Sequence, residues 1–186
     1  KSDIILYATG KWQFTIIPFS NAIDQDTRLY NCQKNILHYL SEIGREHKVT
    51  LKANNTPGRN EIPHNCQNIR IDYTSPFTTC LQTAKLVILD TPGTTLLEAL
   101  TTDVPLFVMS GRAPWEKNTM EMLRKRAVVA DTTDDLIRHL KKYLEDETYP
   151  ADVNDKEFLK AFGSVASITD AKRNAIKVLD EVFGSS

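Results

Sequence analysis

Two stretches of this chain bring together hydroxyls, an ammonium and backbone N–H groups in a way that suits an anion. The first is Asp90-Thr91-Pro92-Gly93-Thr94-Thr95-Leu96-Leu97-Glu98, which follows the apolar run Leu86-Val87-Ile88-Leu89. The opening N–H groups of a helix lack intrahelical partners and carry the positive end of its dipole, so a small-residue turn leading into a helix offers an anion site. Thr94 and Thr95 add hydroxyls for a pyrophosphate, and the Glu98 carboxylate, one turn on, suits the hydroxyls of a ribose or sugar. The second stretch is Tyr7-Ala8-Thr9-Gly10-Lys11-Trp12, where Thr9, Gly10 and Lys11 offer a hydroxyl, a turn N–H and an ammonium to a phosphate. Three further candidates stand at or near strand ends. Lys52 closes the run Lys48–Lys52, while Arg112 and Trp115 lie in Ser110–Glu116, the one suited to pairing with phosphate and the other to stacking on a base or sugar. Each candidate has a structural alternative: N-capping for the threonines, a solvated charge for Glu98, Lys52 and Arg112, and packing for Trp115.

Other chemistries find less support. Gly-x-x-x-x-Gly-Lys-Ser/Thr and Gly-x-Gly-x-x-Gly are both absent, which argues against P-loop hydrolysis and the common dinucleotide fingerprint. His38 and His139 fall in helical patterns, His47 near a helix end and His64 in a loop, without an i,i+4 pair or a nucleophile marked by a motif. Hydrolase triads and zinc enzymes are set aside on that ground. Cys32, Cys66 and Cys80 are odd in number and widely spaced, so they read as reduced, mostly buried thiols rather than a disulfide framework or a zinc site. Asn54-Asn55-Thr56 matches a glycosylation acceptor, a pattern common by chance.

The elements that must carry these residues alternate regularly. Short runs of aliphatic and β-branched residues at Asp3–Ala8, Lys48–Lys52, Asn68–Ile71, Leu86–Leu89, Val104–Val108 and Ala127–Ala130 lack a two-residue alternation, as expected of strands buried on both faces. Between them the spacing predicts helices. One carries Leu29, Cys32, Ile36, Leu37, Leu40 and Ile43 and is stopped by Gly44; the others are Pro76–Ala84 capped by Ser75, Thr94–Leu100, Lys117–Arg126 and Thr133–Leu144. A β-α-β-α series with short connections implies a doubly wound, Rossmann-like α/β fold of about six parallel strands with helices on both faces. From Asp155 the pattern is helical only, including an apolar stripe from Ile168 to Phe183, and 146–154 reads as the linker. The expected organisation is a Rossmann-like domain over 1–145 and a helical extension of it over 146–186, packed back on the sheet.

The 186 residues suffice for one ordinary domain. Hydrophobic residues make up 41% and charged residues 25%, with a net charge of −1, so disorder and a broad nucleic-acid footprint are both disfavoured. No run approaches the length of a membrane span. The opening Lys1-Ser2-Asp3 leads straight into an apolar strand, as in a domain excised from a longer protein.

At Asp90–Pro105 the sequence resembles a known family. A strand, Asp-x-Pro-Gly-Thr-Thr-x-x-Glu-Ala-Leu and a Val-Pro-Leu strand are similar to the nucleotide-sugar-binding C-terminal domain of GT-B glycosyltransferases. The likeness is to the bacterial surface and capsular polysaccharide type, and more distantly to the CDP-glycerol polymerases of teichoic acid synthesis. It implies a nucleotide-sugar donor lying across Thr9, Gly10, Lys11 and the Gly93-Thr94-Thr95 helix start, with Glu98 on a donor hydroxyl. It further implies a glycan acceptor, no metal or other cofactor, and a catalytic base supplied by an N-terminal domain that this chain lacks. On that basis the chain binds a donor without turning it over alone, in the cytoplasm or at the inner face of the membrane. Two alternatives stay open: half of a sugar-nucleotide epimerase or polyol-phosphate transferase, and a non-catalytic Rossmann-like scaffold module.

Overall fold

The computed structural model describes residues 3–10, 26–53, 66–111, 115–163 and 176. Lys11, Arg112, His64, the Asn54-Asn55-Thr56 triplet and, apart from Ile176, the stripe expected over Ile168–Phe183 lie outside the described residues.

Six strands pair in parallel: β1 (Ile4–Ala8), β2 (Lys48–Lys52), β3 (Ile69–Asp72), β4 (Ala84–Leu89), β5 (Leu106–Met109) and β6 (Val128–Ala130), in the order β3-β2-β1-β4-β5-β6. The helices are α1 (Asp26–Ile43), α2 (Phe77–Thr83), α3 (Thr94–Leu100), α4 (Lys117–Arg126), α5 (Thr133–Asp146) and α6 (Glu157–Phe162). Alternate residues of the central strands face opposite helical layers. Ile5, Tyr7, Leu86, Ile88 and Phe107 pack with Ile36, Leu37 and Leu40 of α1 and Leu136 and Leu140 of α5. Leu6, Ala8, Val87, Leu89 and Val108 pack with Leu81, Leu96, Leu123 and Phe158 from α2, α3, α4 and α6. Covering both faces explains why the central strands β1, β4 and β5 are apolar at nearly every position, and each fully buried aliphatic side chain contributes about 1.5–3 kcal/mol. Chain order reverses between the neighbours β1 and β4, which opens the ligand crevice of a doubly wound sheet beyond their carboxyl ends.

Several element edges differ from expectation by one or two residues, among them β4, which starts at Ala84, and α5, which runs on to Asp146; local contacts account for the differences at α2 and around β5. Ser75 does not cap α2, because the Asp72 carboxylate accepts from the N–H groups of Thr74 (2.9 Å) and Ser75 (2.8 Å) and holds them in a turn. Pro76, extended at ψ 142, becomes the N-cap, and Phe77 is the first helical residue. Val104 and Pro105 precede β5, although the Pro105 carbonyl still accepts from Val87 N at 2.9 Å. The segment expected as a linker is knitted to the sheet: Tyr149 Oη accepts from Leu106 N (3.0 Å) and has the carbonyls of Arg126 (2.8 Å) and Leu106 (3.0 Å) within reach of its one hydrogen. Asp152 N adds a bond to Lys125 O at 2.8 Å. Gly44 ends α1 as expected, its N–H donating to Leu40 O at 2.8 Å. Any Cβ there would lie 2.5 Å from Asn68 O, so the stop also admits the close approach of the segment before β3.

Candidate functional site

The crevice is framed by the two turns that leave β1 and β4. Ala8 pairs with Lys52 on one side and Leu89 on the other, so Thr9, Lys52 and Asp90 stand at adjacent strand ends. Thr9 N donates to Lys52 O at 3.5 Å. From β4 the chain passes through Asp90, Thr91, Pro92 and Gly93 into α3. Gly93 is the N-cap, extended at φ −145 and ψ −155; no side chain caps the helix, and a Cβ on Gly93 would meet nothing within 4 Å. The start of α3 is therefore open, with Thr94 exposed and Thr95 half-buried beside it. Glu98, one turn on, is half-buried, and its carboxylate makes no hydrogen bond or ion pair among the described residues.

Helix α3 is held from behind by cations. At its carboxyl end Lys156 Nζ donates to Leu100 O (3.0 Å), and Arg126 Nη2 donates to the carbonyls of Thr102 (2.9 Å) and Val104 (2.8 Å). Positive charge at this end complements the helix dipole and answers carbonyls that the helix leaves unpaired. Arg126 is fully buried, and burial lowers its pKa from the ordinary guanidinium value; Lys156 is lowered by burial and by Arg126.

At the front the decisive group is Asp90, which the sequence reading quoted within its motif without giving it a role. Only 4% exposed, it accepts from Gly10 N at 2.5 Å through Oδ1, and from Tyr7 Oη and Gln33 Nε2, both at 2.8 Å, through Oδ2. Burial pushes its carboxyl above the ordinary value, and the bonds from Tyr7, Gly10, Gln33 and Thr91 restrain that rise. Tyr7 is raised well above the ordinary phenol by burial first and by the Asp90 charge second. The sequence signal was present but weak: an acidic residue at the end of a wholly buried strand.

The remaining candidates divide. Gly10 N, proposed as a phosphate donor, is already bonded to Asp90. Lys52 turns along the strand ends, its Nζ donating to Ala53 O (2.9 Å) and Asp72 O (3.2 Å). Trp115 donates its indole N–H to Ser110 O at 2.7 Å, and its ring lies 6.4 Å from that of Phe158, in the packing role that was its alternative. It also lines a cleft of about 410 Å³ beyond β5 with Lys117, Arg124 and Asp131, the last two 3.7 Å apart. A second cleft of about 240 Å³ lies between the starts of α1 and α5, lined by Arg28, Asn31, Asn35, Asp90, Asp131 and Thr132. The structure thus places Thr9, Gly10, Gly93, Thr94, Thr95 and Glu98 on the two turns of the crevice and on α3, and sets Trp115 apart beyond β5. Among the described residues no three His, Cys, Asp or Glu side chains gather as metal ligands.

Residues 34–127, just over half of the chain, match the family model described as LIC12162 family transferase. The chain belongs to this family. Its matched segment runs from α1 to the end of α4 and so includes Asp90, α3 and Arg126. No curated protein matches the chain. Among solved structures it is similar to spinosyn rhamnosyltransferase SpnG complexed with spinosyn aglycone, at a TM-score of 0.58 and 13% identity over 93% of this chain and 46% of that one. Phytolacca americana UGT2, complexed with UDP-2fluoro-glucose and pterostilbene, gives 0.55 and 13% over 96% and 41%. TarM of S. aureus gives 0.55 and 14% over 94% and 35%. At these identities the likeness shows the fold alone: a Rossmann-like α/β domain, as found in one half of these enzymes. The chain spans less than half the length of each of these enzymes. Among the described residues no helix is long and apolar enough to cross a membrane.

Proposed function

We propose that this chain is the donor-binding half of a glycosyltransferase that builds a surface polysaccharide, and that its crevice takes a nucleotide sugar. The observation that carries this reading is the open start of α3 at the carboxyl end of β4, beside β1 at the point where strand order reverses. There the first N–H groups of α3 and the hydroxyls of Thr94 and Thr95 hold a diphosphate and stabilise the charge that grows on it as the sugar leaves. Glu98, without a partner among the described residues, accepts from ribose or sugar hydroxyls. Membership of a transferase family and the span of less than half of the solved enzymes support a second domain that supplies the acceptor site and the catalytic base. In this reading the protein works in the cytoplasm or against the inner face of the membrane, with a glycan as acceptor and no metal.

Calorimetric titration of the chain with UDP, CDP, GDP and CMP tests the reading. One nucleotide is expected to bind saturably, and Glu98→Ala and Lys11→Ala each to weaken it by about tenfold or more, as befits the loss of a charge-assisted hydrogen bond. A folded chain that binds none of the four overturns it.

A further inference from the structure

Gly10 is held through both its N–H and its C=O by residues far away in sequence. Its N–H donates to Asp90 Oδ1 at 2.5 Å, and its C=O accepts from Gln33 Nε2 at 3.1 Å. The same Gln33 nitrogen donates to Asp90 Oδ2 at 2.8 Å, which uses both hydrogens of the amide. A buried carboxylate from the turn after β4, an amide from α1 and the backbone after β1 therefore close a ring of three hydrogen bonds. Gly10 also touches the turn after β4 directly: a Cβ there would lie 2.3 Å from Thr91 Oγ1 and 3.1 Å from Asp90 Oδ1. Hydrogen bonds to an ionised, buried acceptor are the strong ones, and a fully satisfied buried network fixes one geometry.

We infer that Asp90 and Gln33 are positioning residues that clamp Gly10 and lock the turns after β1 and β4 into one rigid edge of the crevice, so that the anion site at α3 is preorganised before any ligand arrives. This rests on the donor-site reading for what the edge receives, and on geometry alone for the clamp. Neither side chain needs to touch the ligand. Their effect is to remove the ordering of the turns from the cost of binding.

Two measurements on the wild type, Asp90→Asn, Gln33→Met and the core control Leu140→Ala test it. In Asp90→Asn the new amide N–H₂ faces another donor, and in Gln33→Met both donors are lost, whereas Leu140, a buried residue of α5, has no bond to either turn. Amide exchange at Gly10 is read first. The wild-type amide is expected to exchange on a scale far slower than an exposed turn, and about tenfold or more faster in either clamp variant than in Leu140→Ala once global stability is matched. The titration is then repeated with whichever of UDP, CDP, GDP and CMP binds the wild type. Affinity is expected to fall about tenfold in both clamp variants and to stay within about twofold in Leu140→Ala. A purely structural role would make affinity follow stability in all three variants, and that outcome overturns the inference, as does a Gly10 amide that exchanges freely in the wild type. If no nucleotide binds while the Gly10 amide keeps its clamp-dependent protection, the donor reading falls and the clamp stands.

Discussion

Buried charge holds α3 and its surroundings at both ends of the sheet, but the two ends are built on different terms. At the carboxyl end a carboxylate, Asp90, is met on both oxygens by donors from β1, the turn after it and α1. At the other end a guanidinium, Arg126, holds two carbonyls through Nη2, while its Nε and Nη1 are buried without a hydrogen-bond partner among the described residues. A charge whose bonding capacity is filled specifies position. One whose capacity is half used is a net cost that packing around it must offset. The end that carries Asp90 is therefore the exacting one, and the end that carries Arg126 has room for substitution.

Removing both charges sharpens the contrast most. Asp90→Ala leaves Gly10 N, Tyr7 Oη and Gln33 Nε2 buried without their acceptor, and is expected to lower stability by about 3–5 kcal/mol in denaturant unfolding. Arg126→Met keeps the stem and deletes two unanswered nitrogens, and is expected to cost no more than about 1–2 kcal/mol, since exchanging a buried charge for an apolar side chain of similar volume is often near neutral. Equal losses in the two variants would break the comparison.

A smaller effect separates the ends by pH. Because burial raises Asp90, the folded chain holds its proton more tightly than the unfolded chain does. Stability from this group is thus fully present below the ordinary carboxyl value of about 4 and is lost as pH rises through the raised one. The stability advantage of the wild type over Asp90→Asn should accordingly be larger near pH 4 than near pH 7, read by urea midpoints, and an advantage that grows with pH would show Asp90 to be an ordinary stabilised carboxylate. At high pH the same logic applies to Tyr39, pushed up to about 12 by burial first and then by Glu145 and Glu42, so stability falls as pH climbs from the ordinary phenol value toward that point.

The fold was legible because its signals are local. The central strands, buried on both faces, are apolar at nearly every position, and β2, α3 and α4 begin and end where the spacing places them. The start of α2 moved because Asp72 takes the Ser75 N–H. The site was legible in part. A small-residue turn into a helix marks the open start of α3, and nothing more distant is needed to read it. Asp90 was missed as a working residue because its partners lie 57, 80 and 83 residues away, and only the fold brings Gln33, Gly10 and Tyr7 to it. What the sequence does not show for Lys52 and Trp115 is that nearby carbonyls already hold the ammonium and the indole N–H.

The strand order adds a consequence for how the molecule assembles. The strands β1–β3 and β4–β6 are contiguous halves of the chain, and they meet only where β1 lies against β4. The bonds to Asp90 from Tyr7, Gly10 and Gln33 all cross that seam. Closing it spans at least 57 residues, a loop whose entropy no single hydrogen bond repays, so the ring around Gly10 can form only once the two halves have docked. The crevice is thus the closing joint of the fold, and its geometry reports whether the halves have come together correctly.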